Sequence, residues 1–271
     1  MFAQSVSCTE VVVVDDGSTD ETRTKLARYG SRVVLIAQPN RGAASARNTG
    51  VAAATSEYIA FLDADDLWHS RKLELQVRAM QRHPDAVACF TDFEYLSKYD
   101  DFDGQRHVSF ETRVLPDTRA VFANPYFGTP TVMVRRATFN AAHGFDETLL
   151  TAEDVDLWLR LGLLGSVVHL AEILTGVVQH GSGLSMSSGV QGDYNNLLVI
   201  ERFTKANPSF AKHSARLVRQ TESQILTRIG ATLLSSDDRS AARAVLLKAL
   251  RSDPFSFRPL YLLLKSLTPA A

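Results

Sequence analysis

The stretch Tyr58-Ile-Ala-Phe-Leu-Asp-Ala-Asp-Asp-Leu-Trp68 decides the fold that we expect for this chain. It begins with apolar residues that show no polar alternation, which is typical of a strand buried on both faces of an α/β sheet. Three carboxylates follow immediately, those of Asp63, Asp65 and Asp66. Because ligands of such sheets bind beyond the carboxyl ends of the strands, these side chains lie where a binding site is expected.

The three carboxylates favour a metal site. Carboxylates this close repel one another unless a cation or hydrogen-bond donors offset their charge. Asp63 and Asp65 are separated by one residue, and their hard oxygen atoms suit Mg²⁺ or Mn²⁺. The alternative is an acidic turn that only caps the helix predicted to begin near Ser70, and this stretch alone leaves both interpretations open.

The composition indicates an ordinary globular protein. The net charge of −1 over 271 residues argues against a general nucleic-acid binder. The charge is uneven, because residues 201–271 carry 12 Lys and Arg against 5 Asp and Glu, a net of +7. We therefore predict an α/β domain over residues 1–200 and a basic helical region over residues 201–271.

Cysteine usage and the absence of targeting signals favour a cytoplasmic protein. Cys8 and Cys89 are far apart and form no zinc or disulfide pattern, which fits a reducing compartment. The first eight residues show no basic segment followed by an apolar core. No apolar run reaches the length of a membrane-spanning helix.

A run of four valines, Val11–Val14, predicts another buried strand. It ends in Asp15 and Asp16, and Gly17 allows a tight turn there. Two carboxylates at a strand end can accept hydrogen bonds from a ribose or a base. They can equally form a capped turn that binds no ligand, and both interpretations stay open.

Arg47 is the one large cation on a predicted helix of small residues, 43–54. Small side chains allow such a helix to pack close to a sheet or a ligand. The guanidinium could pair with Asp15, with Asp63 or with a phosphate. We weigh a structural ion pair and a direct ligand contact equally, since ion-pair networks also occupy clefts.

The stretch Thr151–Leu161 predicts a helix with acidic residues in its first turn. Thr151 is expected as its N-cap, and Asp154, at the third helical position, would complete a capping box in a turn where the helix dipole favours a charged carboxylate. That place suits a general base and also an ordinary cap. His180 stands beside a glycine-rich turn, where it is either structural or a ligand of a metal or phosphate.

The basic C-terminal region predicts an amphipathic helix that contains Leu217 and Leu233, followed by a helical hairpin split at Asp253-Pro254. The favoured interpretation is a packed bundle whose Arg and Lys side chains are solvated. The alternative is peripheral contact of a basic face with an anionic membrane surface.

Five motifs occur in one order along the chain. They are VVVVDDGSTD at 11–20, QPNRGAASARNTG at 38–50, YIAFLDADDLW at 58–68, GFDE at 144–147 and EDVDLWLRL at 153–161. The set resembles the inverting family-2 glycosyltransferases of GT-A fold. The resemblance implies a GT-A-like, Rossmann-like α/β fold with a mostly parallel sheet flanked by helices. It also implies sugar transfer from a nucleotide-sugar donor to a hydroxyl of a glycan or lipid-linked acceptor, with inversion, in surface polysaccharide or glycan synthesis.

The same resemblance implies how the donor is bound. Asp15 or Asp16 would contact the nucleotide base, and Asp63 would bind the ribose side of the nucleotide. We group Arg47 with these nucleotide-sugar-binding residues. The irregular segment 96–117, predicted to be a long loop, would lie near the acceptor.

The resemblance also assigns the metal and the base. Asp63 and Asp65 would hold Mg²⁺ or Mn²⁺ on the diphosphate, with Asp65 as the usual ligand. His180 matches a histidine that serves some members as a further metal or phosphate ligand. Asp154 would be the general base that accepts the proton of the acceptor hydroxyl.

Two alternatives to this function were weighed. A haloacid-dehalogenase-like phosphatase also has Asp-x-Asp after a strand, but Leu67 stands where that family has Thr or Val, and DDGSTD would be unexplained. A degenerate sugar-nucleotide-binding or interaction protein without turnover is disfavoured by the presence of all the acidic residues.

The beginning of the chain favours that second alternative. The family usually has a strand and a helix before the strand that matches Val11–Val14, and here only ten residues come before Val11. The expected strand would lie between this strand and the one at 58–62. We therefore expect the chain to be unstable or to bind nucleotide poorly, because buried backbone groups would lack partners.

Overall fold

The computed structural model describes residues 1–179 and 189–267 of the chain. The chain divides into two compact units, Met1–His180 and Gly181–Ala271. The predicted boundary after residue 200 falls inside a helix, Gly189–Ala206, which packs against Ala215–Ser235 of the second unit. The second unit therefore begins earlier than the charge distribution suggested.

The first unit alternates strands and helices along most of its length. In chain order its elements are β1 (Val12–Asp16), α1 (Thr22–Ala27), β2 (Val34–Gln38), α2 (Ala43–Ala53), β3 (Tyr58–Ala60), β4 (Leu67–Trp68), α3 (Lys72–Arg82), β5 (Ala86–Leu96), β6 (Thr112–Leu115), α4 (Thr118–Ala123), β7 (Met133–Arg135), α5 (Arg136–Ala141), α6 (Glu153–Gly162) and β8 (Ser166–Val178). Short 3₁₀ turns lie at Gly30–Arg32, Tyr99–Asp101 and Thr129–Thr131. The expected α/β fold with helices flanking a central sheet is confirmed.

The strands form two sheets. β1 and β2 pair in parallel as a sheet of their own, and the larger sheet has the order β3-β7-β5-β8-β4 with β6 also on β8. In the larger sheet only the β5–β8 pairing is parallel among the described strands. The sheet is thus mixed where we expected mostly parallel strands, because several short strands return antiparallel to a long neighbour.

No backbone ladder joins the two sheets in the part of the chain that the structure describes. β1 pairs with β2, and β3 pairs with β7. The expectation that a strand of the parent fold is absent between β1 and β3 stays a prediction, as does its effect on stability.

The segment that follows β5 contains more structure than its polarity predicts. The expected loop over residues 96–117 includes β6, which pairs antiparallel with β8 through Val114 and Val168. β6 is short, and two of its four side chains are exposed. Pairing with the edge of β8 therefore outweighs the weak local signal.

A buried lysine supports β4, the strand that follows residues 63–66, which we call the acidic turn. Lys72 is fully buried at the start of α3, and its Nζ donates to Gln76 Oε1 at 2.6 Å. The same Nζ lies 4.1 Å from the ring centroid of Trp68 in β4. Burial lowers the pKa of Lys72 to about 7. The indole Nε1 of Trp68 donates to the carbonyl of Pro130 at 2.8 Å, so β4 is anchored on two sides.

The second unit is helical. Its described elements are α7 (Gly189–Ala206), α8 (Pro208–His213), α9 (Ala215–Ser235), α10 (Arg239–Ser252) and α11 (Phe257–Leu267). The predicted amphipathic helix is α9, and the predicted hairpin is α10 with α11. In the described ranges no helix is both long enough and apolar enough to cross a membrane.

The contact between α9 and α10 depends on a glycine. A Cβ on Gly230 would lie 2.6 Å from both Cγ and Cδ2 of Leu246, a fully buried residue of α10. Real side chains do not approach so closely, so the two helices can pack at this distance only because position 230 has no side chain.

We predict that Gly230→Ala destabilises the protein although alanine is the better helix former. Overpacking against Leu246 should lower the free energy of unfolding by about 1–3 kcal/mol. In a Leu246→Ala background the same change should be neutral or stabilising, because the added methyl group fills vacated space. Denaturant unfolding of the four proteins checks this, and equal effects in both backgrounds would contradict it.

Candidate active site

The acidic turn lies between β3 and β4, beyond the carboxyl end of β3 as predicted. The turn closes with a hydrogen bond from the Asp66 amide to the Asp63 carbonyl, 3.2 Å. β4 pairs with Gly176 and Thr175 of β8. The Asp66 carboxylate accepts a hydrogen bond from the amide of Val178 at 3.2 Å. The turn is thereby fixed against the end of the long strand β8.

The carboxylates of the turn interact unfavourably with one another. Burial and, to a smaller extent, the charges of Asp63 and Asp65 together raise the pKa of Asp66 to about 7. A divalent cation would relieve this repulsion, and oxygen donors of this kind fit Mg²⁺ or Mn²⁺. Over residues 1–179 and 189–267, however, no group of three or more His, Cys, Asp or Glu is arranged to hold a metal ion. The predicted ligand His180 lies outside the described residues.

Arg47 connects two of the predicted site motifs. Its Nη2 donates to Asp63 Oδ1 at 2.8 Å, and its Nη1 donates to Glu153 Oε1 at 2.7 Å. The guanidinium also lies over the ring of Phe145, with 5.5 Å between Cζ and the ring centroid. The side chain is only 16% exposed. Arg47 therefore forms the ion pair that we weighed against direct ligand contact, and its second partner, Glu153, was not predicted.

Asp154 is the second residue of α6, beside the glutamate that Arg47 holds. The predicted cap at Thr151 is wrong, because the helix begins one residue later than expected. Ala152 is the N-cap, in a left-handed conformation with φ 66° and without a side-chain cap hydrogen bond. The expected capping box therefore does not form.

The surroundings of Asp154 suit a proton acceptor. Burial and, to a smaller extent, the charge of Glu153 together raise the pKa of Asp154 to about 6. The Asp154 Oδ1 atom accepts a hydrogen bond from the Val155 amide at 2.7 Å. A carboxylate with a pKa near neutrality is ionised at pH 7 and still basic enough to take a proton.

The Asp16 carboxylate holds the loop that leads into α2. Its Oδ1 accepts from Gln38 Nε2 at 2.8 Å and from the Arg41 amide at 2.9 Å. Its Oδ2 accepts from the Gly42 amide at 2.8 Å. These bonds fix the end of β1 to the start of the helix that carries Arg47.

Asp15 is bound within its own turn. It is 3% exposed and accepts hydrogen bonds from the Ser18 amide at 2.8 Å and from the Arg23 guanidinium. The hydrogen bonds from Ser18 and Arg23 lower the pKa of Asp15 to about 2. The structure thus shows the capped-turn arrangement that we weighed against a ligand contact.

Asn48 is a site residue that the sequence analysis did not identify. Its side chain pairs with the backbone of Phe145, with Nδ2 donating to the carbonyl and Oδ1 accepting from the amide, both at 2.9 Å. A Cβ on Gly144 (φ 66°) would lie 2.7 Å from Asn48 Oδ1, so only glycine fits there. The signal in the sequence was the polar pair Arg47-Asn48 on a helix of small residues. The two side chains hold different motifs from adjacent positions of α2.

The residues of the candidate site thus fall into three sets. The acidic turn, Arg47 and the start of α6 are joined by direct contacts. Asp15 holds the turn after β1, and Asp16 holds the loop before α2. A contact of either carboxylate with a nucleotide base remains a prediction. Asn48, which holds the backbone of Phe145, is the third set, and it was missed because its partner is distant in sequence, as was the pairing of Glu153 with Arg47.

Known proteins with related sequences are glycosyltransferases and polysaccharide synthases. A protein of Rickettsia bellii named as an uncharacterized glycosyltransferase is 32% identical over 164 residues, 58% of this chain and 23% of that protein. The chondroitin synthase of Pasteurella multocida (strain Pm70) is 29% identical over 207 residues, 73% of this chain and 20% of that protein. The hyaluronan synthase of Pasteurella multocida is 30% identical over 208 residues, which are 73% of this chain and 20% of that protein. The chain spans about a fifth to a quarter of the length of these relatives.

Two solved structures share the fold. TarS 1-349 of S. aureus in complex with UDP-GlcNAc has a TM-score of 0.58 at 18% identity, over 94% of this chain and 83% of that one. The mannosyltransferase PcManGT of Pyrobaculum calidifontis, in complex with GDP-Man and Mn²⁺, has a TM-score of 0.58 at 19% identity, over 98% of this chain and 78% of that one.

The family itself is shown by the match of its sequence profile. The profile described as glycosyl transferase family 2 matches residues 2–141, which include β1, the acidic turn and Arg47. This match sets aside the phosphatase interpretation of the Asp-x-Asp stretch. The chain belongs to glycosyl transferase family 2.

Proposed function

We propose that the chain transfers a sugar from a nucleotide-sugar donor to an acceptor hydroxyl, with inversion, in the synthesis of a polysaccharide or other glycan. The observation that carries the proposal is the Arg47 network, which links the acidic turn at Asp63 to the start of the helix that bears Asp154. The names of the relatives, which include a chondroitin and a hyaluronan synthase, support the substrate class.

The donor is proposed to bind beside the acidic turn. Asp63 and Asp65 would hold Mg²⁺ or Mn²⁺, which the crowding of carboxylates around Asp66 favours. A bound cation would neutralise the leaving diphosphate as a Lewis acid. Two structural neighbours were solved with a nucleotide sugar, and one of them also with Mn²⁺, which supports this donor class.

The acceptor is proposed to be activated by Asp154. Its carboxylate would accept the proton of the acceptor hydroxyl as the oxygen attacks the anomeric carbon. One displacement inverts that carbon and needs no nucleophile from the protein. A positioned base of this kind contributes roughly 10²–10⁴-fold in rate. Glu153, held by Arg47, would fix the orientation of the helix start.

Asp15 and Asp16 are proposed to act on the nucleotide side. The resemblance assigns one of them to the base, yet both accept hydrogen bonds from their own chain. Asp16 would therefore shape the pocket by holding the loop before α2. A contact of either carboxylate with the base stays a prediction.

A protein that binds nucleotide sugars without turnover is the second candidate. It is favoured by the separation of the β1–β2 sheet from the larger sheet among the described strands. A thermal-shift screen of UDP-, GDP-, dTDP- and CMP-sugars with Mn²⁺ identifies the donor. Transfer of label from that donor to an acceptor then separates the two candidates, because the second one predicts stabilisation without product.

We predict that Asp65→Ala abolishes metal-dependent nucleotide binding and leaves the fold intact, because it removes the proposed metal ligand. Isothermal titration with UDP and Mn²⁺ measures this, with circular dichroism as the check on folding. Asp85→Ala, at an exposed carboxylate elsewhere in the same unit, is the matched control. Undiminished affinity in the Asp65 variant would refute the metal assignment.

We predict that Asp154→Asn retains donor binding and loses transfer by about 10²-fold or more, because the amide cannot accept the proton. Steady-state kinetics and donor titration on the same preparations distinguish a loss in kcat from a loss in affinity. If the variant turns over close to the wild-type rate on its acceptor, Asp154 is only part of the helix start.

We also predict a pH dependence that follows from the pKa of Asp154, about 6. The base acts when ionised, so kcat/KM of the wild type should rise with pH and level off above about pH 6. The residual rate of Asp154→Asn should not show this rise.

The same pKa predicts a pH dependence of stability. Folding favours the protonated form of Asp154, so this carboxyl group lowers stability as pH rises from about 4, its unfolded pKa, through 6. Asp154→Asn should therefore melt roughly a few degrees above the wild type at pH 7.5 and equal to it near pH 4.

A further inference from the structure

Helix α11 has an apolar face that points to solvent. The helix packs on its own unit through Pro259 and Ser266, which are buried, and through the half-buried Leu262 and Leu263. The opposite face is also apolar and is exposed. Its residues, at helical spacing, are Phe257, Leu260, Tyr261, Leu264 and Leu267.

An aromatic residue extends this face onto the turn before the helix. Phe255 is 96% exposed and Phe257 is 77% exposed. Large aromatic side chains rarely stay in water without a partner, and a contiguous exposed apolar surface indicates a site of interaction. We call the six residues, Phe255 and the five on the outer face of α11, the apolar face.

Cations border the apolar face. Arg258 and Lys265 are seven residues apart and therefore lie on one side of α11. Both are exposed. The net charge of residues 201–271 is +7. The border thus carries one sign of charge along the length of the helix.

An open surface cavity beside Phe255 is lined by two further cations. It has a volume of about 530 Å³, and its lining includes Arg216, Arg219 and Phe255, with Asp253 as its one carboxylate. Two guanidinium groups beside an exposed aromatic ring can bind phosphate oxygens while the ring enters an apolar layer.

We propose that the apolar face and its basic border dock this unit on an anionic lipid surface. An exposed face of Phe, Leu and Tyr beside Arg and Lys is the pattern of a helix that lies in the interface plane of a bilayer. Charge complementarity selects the partner, since anionic headgroups attract a region of this charge, whereas the same basic face of a second copy would repel it. The inference does not depend on the proposed reaction.

The test is sedimentation of the full chain with vesicles of phosphatidylcholine alone and of phosphatidylcholine mixed with phosphatidylglycerol. We expect binding to the mixed vesicles only, and weaker binding as salt is added. Leu260→Ser/Leu264→Ser should lower the partition coefficient at least about fivefold, since it removes apolar side chains from the lipid-facing surface. Arg258→Glu/Lys265→Glu should lower it at least about tenfold through lost and reversed charge.

Matched controls exclude general effects of the substitutions. Leu163→Ser/Leu164→Ser changes two exposed leucines of the first unit, and Lys25→Glu/Arg28→Glu makes the same change in net charge there. Both controls should bind like the wild type. Melting curves check that each variant is folded, and the exposed positions were chosen because they leave the buried side of α11 unchanged.

Three of the possible results would overturn the proposal outright, and a fourth would remove the role of its basic border. The three are no binding to the mixed vesicles, equal losses in the test and control pairs, and a dimer by light scattering that Leu260→Ser/Leu264→Ser dissociates while vesicles are not bound. The last result would assign the apolar face to a second copy of the chain. Equal binding to both kinds of vesicle would also overturn it, because the basic border would then have no role.

Discussion

The two ion pairs that Arg47 makes are the constraint on which the candidate site depends. A single guanidinium, largely removed from water, donates to a carboxylate of the acidic turn and to one at the start of α6. Those carboxylates are far apart in sequence, and Arg47 stands between them on a helix of small residues that packs on β1. Breaking such a pair leaves charges half-buried without a partner, which costs more than the pair itself gains.

The strands and helices of the first unit that the sequence predicts are those whose signals are local. The valine run of β1, the small residues of α2 and the apolar run of β3 each carry their own pattern. β6 was missed because its pairing with β8, not its composition, makes it a strand. The helix start at Ala152 was misplaced because a left-handed alanine leaves no sign in a sequence.

The residues of the candidate site divide in the same way, into those with a local signal in the sequence and those without one. The candidate carboxylates could be named from the sequence because they follow strands or begin a helix, and Arg47 because it is the one large cation of α2. Its partner Glu153 could not be named, because 106 positions separate the two residues and many carboxylates compete for one arginine. The pairing of Asn48 with the backbone of Phe145 was equally hidden, since it needs the folded loop to exist first.

The two separate sheets have a consequence for how related chains can diverge in structure. A backbone ladder sets the spacing of neighbouring strands at about 4.8 Å and leaves little freedom. Among the described residues no ladder crosses between β1–β2 and the larger sheet, so side chains such as Arg47 and Asn48 set that distance instead. Side chains of other lengths would reset it without changing any strand register. Relatives can therefore adjust the distance between the two sheets through point substitutions in α2, leaving each sheet intact.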